Sequence, residues 1–368
     1  MSAQWPPTLP PDADWQAVVD LQLRPWLARG SLDVHKLLLD TSNLRRPPAA
    51  GPVSNPVAAL VDTKTWHVRP MGAKWVGHHP VRMRAVLNIF RMTQRTLKAA
   101  GSPLPDIQFV LVLSDGHGLH PRDFDNACTC KTTATCCEPK VLARAREAPA
   151  APVFATMHCR HTWDVSVPTI IDDLLDTRSA ASINASLHKW LAMGDAHPWA
   201  ARRRRAFFVG DAKAYRPNAI RLGRGAPDLF DARYAVSSNR TARVPFAEHA
   251  KYIASVYAHG FHFNSVRWRR LALLRSAVIA EEAPCKEWWS LRARPWVHYA
   301  PTHENFDDLV GVARRLLDPA RDAEARAMAA RLRRLAVDSF APEGLVGYIA
   351  ALWRTYARLQ HARTGGGG

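Results

Sequence analysis

The sequence contains no long apolar run, and this argues against a membrane-spanning helix. Such a helix needs about 18 or more apolar residues in succession, whereas "LVGYIAALW" (residues 345–353) is short and amphipathic. The first residues also lack the basic and apolar regions of a secretory leader. We therefore expect either an intracellular protein or one whose leader is missing from this sequence.

Two glycine-rich phosphate-binding motifs are also absent. Neither Gly-x-Gly-x-x-Gly nor Gly-x-x-x-x-Gly-Lys-Ser/Thr occurs, which argues against classical dinucleotide and P-loop sites. A lysine-rich tail is lacking too, although the formal net charge is +18. That charge admits nucleic acid, an anionic membrane or a phosphorylated small molecule as partner. Because the basic residues are scattered, a nucleic-acid binder is the least favoured class.

Cysteines are few, six in all, and four of them cluster at positions 128, 130, 136 and 137. Their C-x-C-x5-C-C spacing does not match the paired spacing of zinc sites. We expect disulfides or free loop thiols there rather than a metal. The nearby Asp123 and Asp125 could hold Mn or Mg against a diphosphate. Their place in the same loop favours solvated acids, and we predict a site without metal.

Short apolar runs alternate with helical segments along most of the chain. A hairpin is predicted around residues 62–64, a helix over 82–97, and strands at 107–113, 151–158, 206–209, 251–257, 276–282 and 296–301. Strands that alternate with helices indicate parallel, doubly wound sheets. Asn305 is the predicted N-cap of a helix with acids in its first turn. In the last helix, Trp353 and Tyr356 share a face with four other large side chains and are predicted to be core.

The segment from Lys251 to Arg267 is the first candidate site. A strand ends at the His259-Gly260 turn, and Ser265 precedes a helix predicted to begin near Val266. Unpaired N–H groups at a helix start stabilise an anion, and an arginine fork matches phosphate oxygens. A pyrophosphate would fit this junction. In the alternative interpretation, Ser265 only caps the helix and the arginines form a solvated face.

Three short motifs occur in a fixed order across this region: "HAKY" (249–252), "SVR" (265–267) and "PWVHY" (295–299). Together with "LPDIQFVLVLSD" and "FFVGD", they resemble the CAP10-like glycosyltransferases of family 90. That family includes protein O-glucosyltransferases and capsule xylosyltransferases. The resemblance runs from about Arg82 to about Tyr356.

The resemblance implies an α/β, GT-B-like fold with two Rossmann-like doubly wound domains that face a central cleft. Its expected parts are a Pro-rich extension with a short helix (1–55), an acceptor-side domain (56–170), a nucleotide-sugar domain (171–340) and a C-terminal helix with a Gly tail (341–368). It further implies metal-independent, inverting transfer of a sugar, glucose or xylose, from a UDP-sugar to a hydroxyl of a protein or glycan. We expect no cofactor beyond the UDP-sugar co-substrate and no nucleic-acid partner. We expect the protein to be located in the lumen of the endoplasmic reticulum or Golgi.

The resemblance also assigns roles to residues. Asp115 matches the aspartate that takes the proton from the acceptor hydroxyl, a task that suits an ionised carboxylate. The positions that match donor-binding residues are Gly210, Asp211, Arg216, Phe263, Asn264, Ser265, Val266 and Arg267.

Three positions depart from the family pattern. Val209 and Ser114 stand where the family usually has arginine, and Asp211 stands where a small residue is common. A carboxylate at 211 would repel a diphosphate. These departures leave open a catalytically inactive relative that binds a nucleotide or glycan. His298 and Tyr299 are assigned to packing, and Trp288 and Trp289 to the core rather than to a sugar site.

Overall fold

The computed structural model describes most of the chain. The described residues are 9, 14–37, 57–72, 79–113, 150–159, 164–169, 174–210, 216–235, 244–259, 265–283 and 285–362. The described helices are α1 (Trp15–Arg29), α2 (His79–Ala99), α3 (Ala180–Asp195), α4 (Arg216–Gly225), α5 (Arg267–Leu273), α6 (Leu309–Leu317), α7 (Asp322–Phe340) and α8 (Pro342–His361).

The described strands form two larger sheets and one small one. In chain order they are β1 (Val57–Asp62), β2 (His67–Gly72), β3 (Gln108–Val112), β4 (Val153–Ala155), β5 (His158–Cys159), β6 (Asp164–Ser166), β7 (Arg203–Gly210), β8 (Phe230–Tyr234), β9 (Tyr252–Tyr257), β10 (Ala277–Glu281), β11 (Cys285–Lys286) and β12 (Ala300–Thr302).

The first sheet is mixed, with the order β2-β1-β3-β4-β6. Strands β1 and β2 form the predicted hairpin, and β1 also pairs antiparallel with β3. Only β3, β4 and β6 run parallel. The parallel pairing expected of a doubly wound sheet is thus present in β3, β4 and β6, while the predicted hairpin adds an antiparallel edge, since a short turn cannot join parallel strands.

The second sheet is wholly parallel, with the order β12-β10-β9-β7-β8. Its central strand β9 is buried at all six positions. A strand covered by helices on both faces needs such a continuous apolar run. The strand prediction for 251–257 is confirmed, and this sheet has the expected parallel, alternating architecture.

Helix α8 packs on the first sheet and helps to build its core. Trp353 and Tyr356 are fully buried; the Trp353 ring lies 5.5 Å from that of Phe90, and the Tyr356 ring 5.1 Å from that of Phe154. Trp353 Nε1 donates to the carbonyl of Pro105 at 2.7 Å. The prediction that this aromatic face is core is confirmed, and truncating either ring should cost about 3–5 kcal/mol.

Helix α1 lies against α8 and has a capping residue at each end. The Asp14 carboxylate accepts from the N–H of Ala17 at 2.9 Å, and Gly30 ends the helix with a φ of 77°. Glycine adopts this left-handed conformation without a steric penalty. The short helix expected in the N-terminal part is thus present.

Two local predictions are wrong. The helix after β12 begins at Leu309 and not after Asn305, because the Asp308 carboxylate accepts from the N–H of His303 at 3.0 Å and holds the preceding loop in a turn. The strand predicted at 296–301 begins only at Ala300. Its first half is a turn in which Trp296 has a φ of 58°.

No single helix in the described part of the chain is long and apolar enough to cross a membrane. One pair, Pro319–Phe340 with Pro342–His361, meets the length and composition criteria only when the two are taken together, and it is bent by 66°.

Candidate functional site

The strand order of the second sheet reverses between β7 and β9. Counted along the chain within this sheet, the order is 2-1-3-4-5. The connection after β7 therefore leads to one side of the sheet, while the connections after β9 lead to the other. Doubly wound sheets bind ligands in the crevice at the carboxyl ends of the two strands beside such a reversal. In this chain that crevice lies where Gly210 ends β7 and where residues 258–259 follow β9.

Gly210 is required at this crevice because the backbone is crowded there. A Cβ atom at this position would lie 2.9 Å from the Phe208 ring and 3.4 Å from the Cβ of Arg216. Any larger residue would push either group away. The predicted strand break at Gly210 thus coincides with a close approach of the backbone to the crevice.

Arg216 joins the ends of the two strands beside the reversal. It is the first residue of α4, is only 8% exposed, and its Nε donates to the carbonyl of His259 at 2.9 Å. A planar guanidinium held at Nε has a fixed orientation. Its positive charge is thereby fixed beside Gly210.

Arg267 approaches the same place from the other side of the sheet. Its Nη1 donates to the carbonyl of Val209, and its guanidinium carbon lies 5.8 Å from the centre of the Phe208 ring. The hydroxyl of Ser265 accepts from the N–H of Arg267 at 3.3 Å, and Val266 takes the N-cap position. Since α5 has only seven residues, the arginine side chains supply more of the positive potential than the helix dipole does.

The neighbouring arginines of α5 are not a solvated face. Arg269 is buried and pairs with Glu287 at 2.7 Å. The Arg270 guanidinium lies 5.3 Å from the centre of the Trp190 ring and 5.7 Å from that of Phe246. The alternative interpretation of these arginines as a solvated face is therefore wrong.

A buried contact between His259 and Glu281 lies beside Arg216 and was not predicted. His259 Nδ1 is 2.7 Å from Glu281 Oε1, and both side chains are almost completely buried. The same carboxylate accepts from the backbone N–H of His259. Glu281 thereby fixes His259, the residue whose carbonyl accepts from Arg216. The available signal was an acid that directly follows the buried run "AVIA".

Glu304 brings the end of a fourth strand to the crevice. It lies in the loop after β12, and the next residue, Asn305, accepts at its carbonyl from the side chain of Asn218 in the first turns of α4. Burial raises the pKa of the Glu304 carboxyl, while His259 lowers this pKa and Glu281 raises it further. The loop after β12 therefore lies within electrostatic range of the ends of β9 and β10.

The small third sheet connects the ends of the two larger sheets. Strand β5 follows β4 after two residues, β11 follows β10 after three, and the two short strands pair antiparallel. A disulfide joins Cys159 to Cys285 across this pair. The carboxyl ends of β4 and β10 are thus held near each other. This disulfide was not predicted, since its two cysteines are 126 residues apart in the sequence.

Comparison with known proteins identifies the family. Residues 78–365 match the model of glycosyl transferase family 90. The chain belongs to glycosyl transferase family 90. It is 26% identical over 175 residues to protein O-glucosyltransferase 3 of Homo sapiens, covering 45% of this chain and 34% of that protein. It is 25% identical over 274 residues to protein O-glucosyltransferase 2 of Danio rerio, covering 70% of this chain and 48% of that protein.

A third relative is the O-glucosyltransferase rumi homolog of Aedes aegypti, 26% identical over 153 residues that cover 36% of this chain and 37% of that protein. The matched part of the chain therefore spans about a third to a half of the length of these family 90 relatives. The family membership expected from the motifs is confirmed.

Some of the residues expected from the family pattern lie together, and others lie outside the described residues. The structure brings Gly210, Arg216 and Arg267 to the β7–β9 crevice, with Ser265 and Val266 next to Arg267 in the chain. Asp115, Asp211, Phe263 and Asn264 are outside the described residues, as are Ser114, Asp123, Asp125 and the four clustered cysteines. The roles given to them stay predictions. Leu113, two residues before Asp115, has its carbonyl held by Arg82 Nη1 at 3.0 Å.

The aromatic residues considered for a sugar site lie in the core. Trp288 and Trp289 are at most 1% exposed. The Trp288 ring lies 4.8 Å from that of Tyr348, and Trp289 Nε1 donates to Glu287 at 3.1 Å. His298 Nδ1 accepts from the N–H of Arg294, and the Tyr299 hydroxyl donates to Glu282. The assignment of these side chains to packing and hydrogen bonding is confirmed.

One group of side chains has the composition of a metal site. His303, Asp307 and Asp308 place ligand atoms within 4.8 Å of one another. These atoms are already used in the loop, since His303 Nδ1 lies 2.6 Å from Asp307 Oδ1 and Asp308 accepts from Thr302 and His303. The group forms the hydrogen-bonded turn before α6.

Proposed function

We propose that the chain is an inverting, metal-independent glycosyltransferase that moves a sugar, glucose or xylose, from a UDP-sugar to a hydroxyl of a protein or glycan. The observation that carries this proposal is the convergence of Arg216 and Arg267 on Gly210 at the β7–β9 crevice. Two fixed guanidinium groups in a largely buried crevice match the charge of a diphosphate.

The chemistry assigned to the site is a single displacement. Asp115 takes the proton of the acceptor hydroxyl while the oxygen of that hydroxyl attacks the anomeric carbon of the sugar. The bond from that carbon to the diphosphate oxygen breaks, and UDP leaves from the opposite side. Arg216 and Arg267 stabilise the negative charge that grows on this oxygen. The hydrogen bond from Arg82 to the carbonyl of Leu113 stabilises the end of β3. Asp115 follows shortly after this strand in the sequence.

We propose a GT-B-like arrangement in which the two sheets belong to domains of about residues 56–170 and 171–340. The pairing of β5 with β11 supports it, because this pairing draws the carboxyl ends of both sheets toward each other. A donor bound at the second sheet would then face the acceptor side on the first. Helix α8, from the C-terminal segment, returns to pack on the first sheet.

We further propose that the protein works in an oxidising compartment, the lumen of the endoplasmic reticulum or Golgi. The Cys159–Cys285 disulfide supports this, because such bonds persist in the secretory pathway and are rare in the cytosol.

The experiment is a transfer assay with a panel of UDP-sugars, including UDP-glucose and UDP-xylose, on the wild type and on Asp115→Asn. We expect transfer by the wild type and a loss of about 10²–10⁴-fold in the variant, with UDP affinity retained. UDP binding without any transfer would favour the inactive relative instead. The side chain of Val209 gives that alternative some support, because it packs with Phe207 and Tyr252 and brings no charge to the crevice. Absence of UDP binding would contradict both interpretations.

A further inference from the structure

The loop after β12 brings one acid, Glu304, near the proposed donor site, on a side of that site where no arginine has been described. Its neighbour Asn305 contacts α4 through Asn218, and Glu304 itself lies within electrostatic range of His259 at the end of β9 and of Glu281 at the end of β10. In the proposed function, the sugar to be transferred faces the first sheet and Asp115. Glu304 therefore lies on the nucleoside side of the crevice.

The hydrogen-bonding capacity of this acid is not used within the described part of the chain. Glu304 Oε1 is buried and has no hydrogen-bond partner there, and the same holds for Glu281 Oε2. A nearby acid differs, since Glu282 accepts from the Tyr299 hydroxyl. A buried carboxylate oxygen without a partner carries a desolvation penalty, which a ligand that donates hydrogen bonds would remove.

The chemistry of a carboxylate limits which chemical group of a ligand Glu304 can recognise. An acid beside a diphosphate repels phosphate oxygens, but it accepts strong hydrogen bonds from hydroxyl groups. A nucleotide offers such donors at the 2′ and 3′ positions of its ribose. The base and the phosphates offer no hydroxyl pair of this kind.

We propose that Glu304 recognises the ribose of the donor nucleotide by accepting hydrogen bonds from its 2′ and 3′ hydroxyls. This inference rests on the proposed function. Burial raises the pKa of this carboxyl, and the hydrogen bonds that the ribose donates favour the ionised form. Glu281 acts as a positioning residue, because it holds His259.

The test compares UDP with 2′,3′-dideoxy-UDP by titration calorimetry on the full chain. We expect the wild type to bind UDP at least about tenfold more tightly than the dideoxy compound, since two charge-assisted hydrogen bonds are lost. In Glu304→Ala, UDP affinity should fall until the two ligands bind equally. Inorganic pyrophosphate should bind at least as well to the variant as to the wild type, because a repulsive charge has been removed.

The matched control is Asp307→Ala, which removes an exposed acid from the same loop and should keep the wild-type preference for UDP. Glu304→Gln keeps the shape of the side chain and should keep part of the preference, and it serves if the alanine variant does not fold. A preference for UDP that survives at full size in both Glu304 variants would overturn the inference and leave the proposed function standing. A loss confined to UDP-glucose relative to UDP would place the acid at the transferred sugar and would also overturn it. If the wild type does not bind UDP at all, the proposed function fails with it.

Discussion

Buried polar groups at the two edges of the second sheet differ in how far the described part of the protein satisfies them, as Arg202 at one edge and Glu281 and Glu304 at the other illustrate. At the amino edge, where β7 and β10 begin, the buried guanidinium of Arg202 is saturated by partners from the protein itself. At the carboxyl edge, where the same strands end, buried carboxylate oxygens of Glu281 and Glu304 have no partner among the described residues. A closed network stabilises a fold, whereas an incomplete one indicates where a ligand binds.

Arg202 at the amino edge is fully satisfied. Its guanidinium has five N–H donors, and it makes five hydrogen bonds, to the carbonyls of residues 194, 197, 274 and 275 and to the Ser276 hydroxyl. Arg275, with a φ of 60°, is one of the residues whose carbonyl it holds. No donor of Arg202 remains for a ligand.

The carboxyl edge presents charges in another way. Arg216 donates to the carbonyl of His259 after β9, and Arg267 donates to the carbonyl of Val209 in β7. Both side chains belong to residues near the glycine at which β7 ends. The arginines around this sheet therefore have two different roles. Arg202 joins helices to strands, whereas Arg216 and Arg267 present charge at a crevice.

The largest expected effect is on stability, from Arg202→Met. Removing the guanidinium leaves several buried carbonyls without a donor and should cost about 3–5 kcal/mol in the free energy of unfolding, measured by denaturant titration. UDP affinity of the folded protein should not change. The control is Arg203→Met, which removes an exposed neighbour of the same charge and should cost less than about 1 kcal/mol. Equal losses in the two variants would contradict the distinction between the edges.

A smaller predicted effect is a loss of folding stability at low pH. It is caused by His298, which lies at the amino edge just before β12. Burial, together with Arg294, Arg331 and Arg292, lowers the pKa of His298 to about 4. The unfolded chain takes up this proton below pH 6.5, but the folded chain does so only near pH 4, so stability falls as the pH drops through that window. We expect a loss on the order of 1–2 kcal/mol after solvent screening is considered.

His298→Asn tests this pH effect, because asparagine can still accept from the Arg294 N–H and does not titrate. Denaturant midpoints at about pH 7 and about pH 4.5, on either side of most of the window, should differ less in the variant than in the wild type. An unchanged pH dependence would contradict the assignment of this loss to His298.

Much of the second sheet could be predicted from the sequence, because a short continuous apolar run such as 251–257 is typical of a strand buried on both faces. Arg216 and Arg267 were expected through the family resemblance, and the structure places them together at the crevice. Arg202 could not be singled out, since five acceptors from distant parts of the chain define its role and arginines are common throughout the sequence. The same holds for Glu304, whose loop follows the edge strand β12 and contacts α4 through the neighbouring Asn305.

The first sheet shows a different limit of prediction. The hairpin at 62–64 could be predicted from the sequence. The antiparallel pairing of its strand β1 with β3 could not, because it depends on which strands become neighbours in the sheet. The start of α6 was placed too early because Asn305 is a good capping residue by type, whereas Asp308 holds the loop through Thr302 and His303. Capping residues are recognised by their hydrogen bonds, which sequence spacing does not fix.

The most direct test of a diphosphate site at the carboxyl edge is the affinity for UDP, measured by calorimetry, of Arg267→Ala beside Arg270→Ala. Both substitutions remove one positive charge from α5, but Arg267 reaches the end of β7, while Arg270 stacks on Trp190 and Phe246. We predict a loss of about tenfold or more for Arg267→Ala and less than about twofold for Arg270→Ala. Unchanged affinity in Arg267→Ala, or equal losses in both variants, would contradict the placement of a diphosphate there.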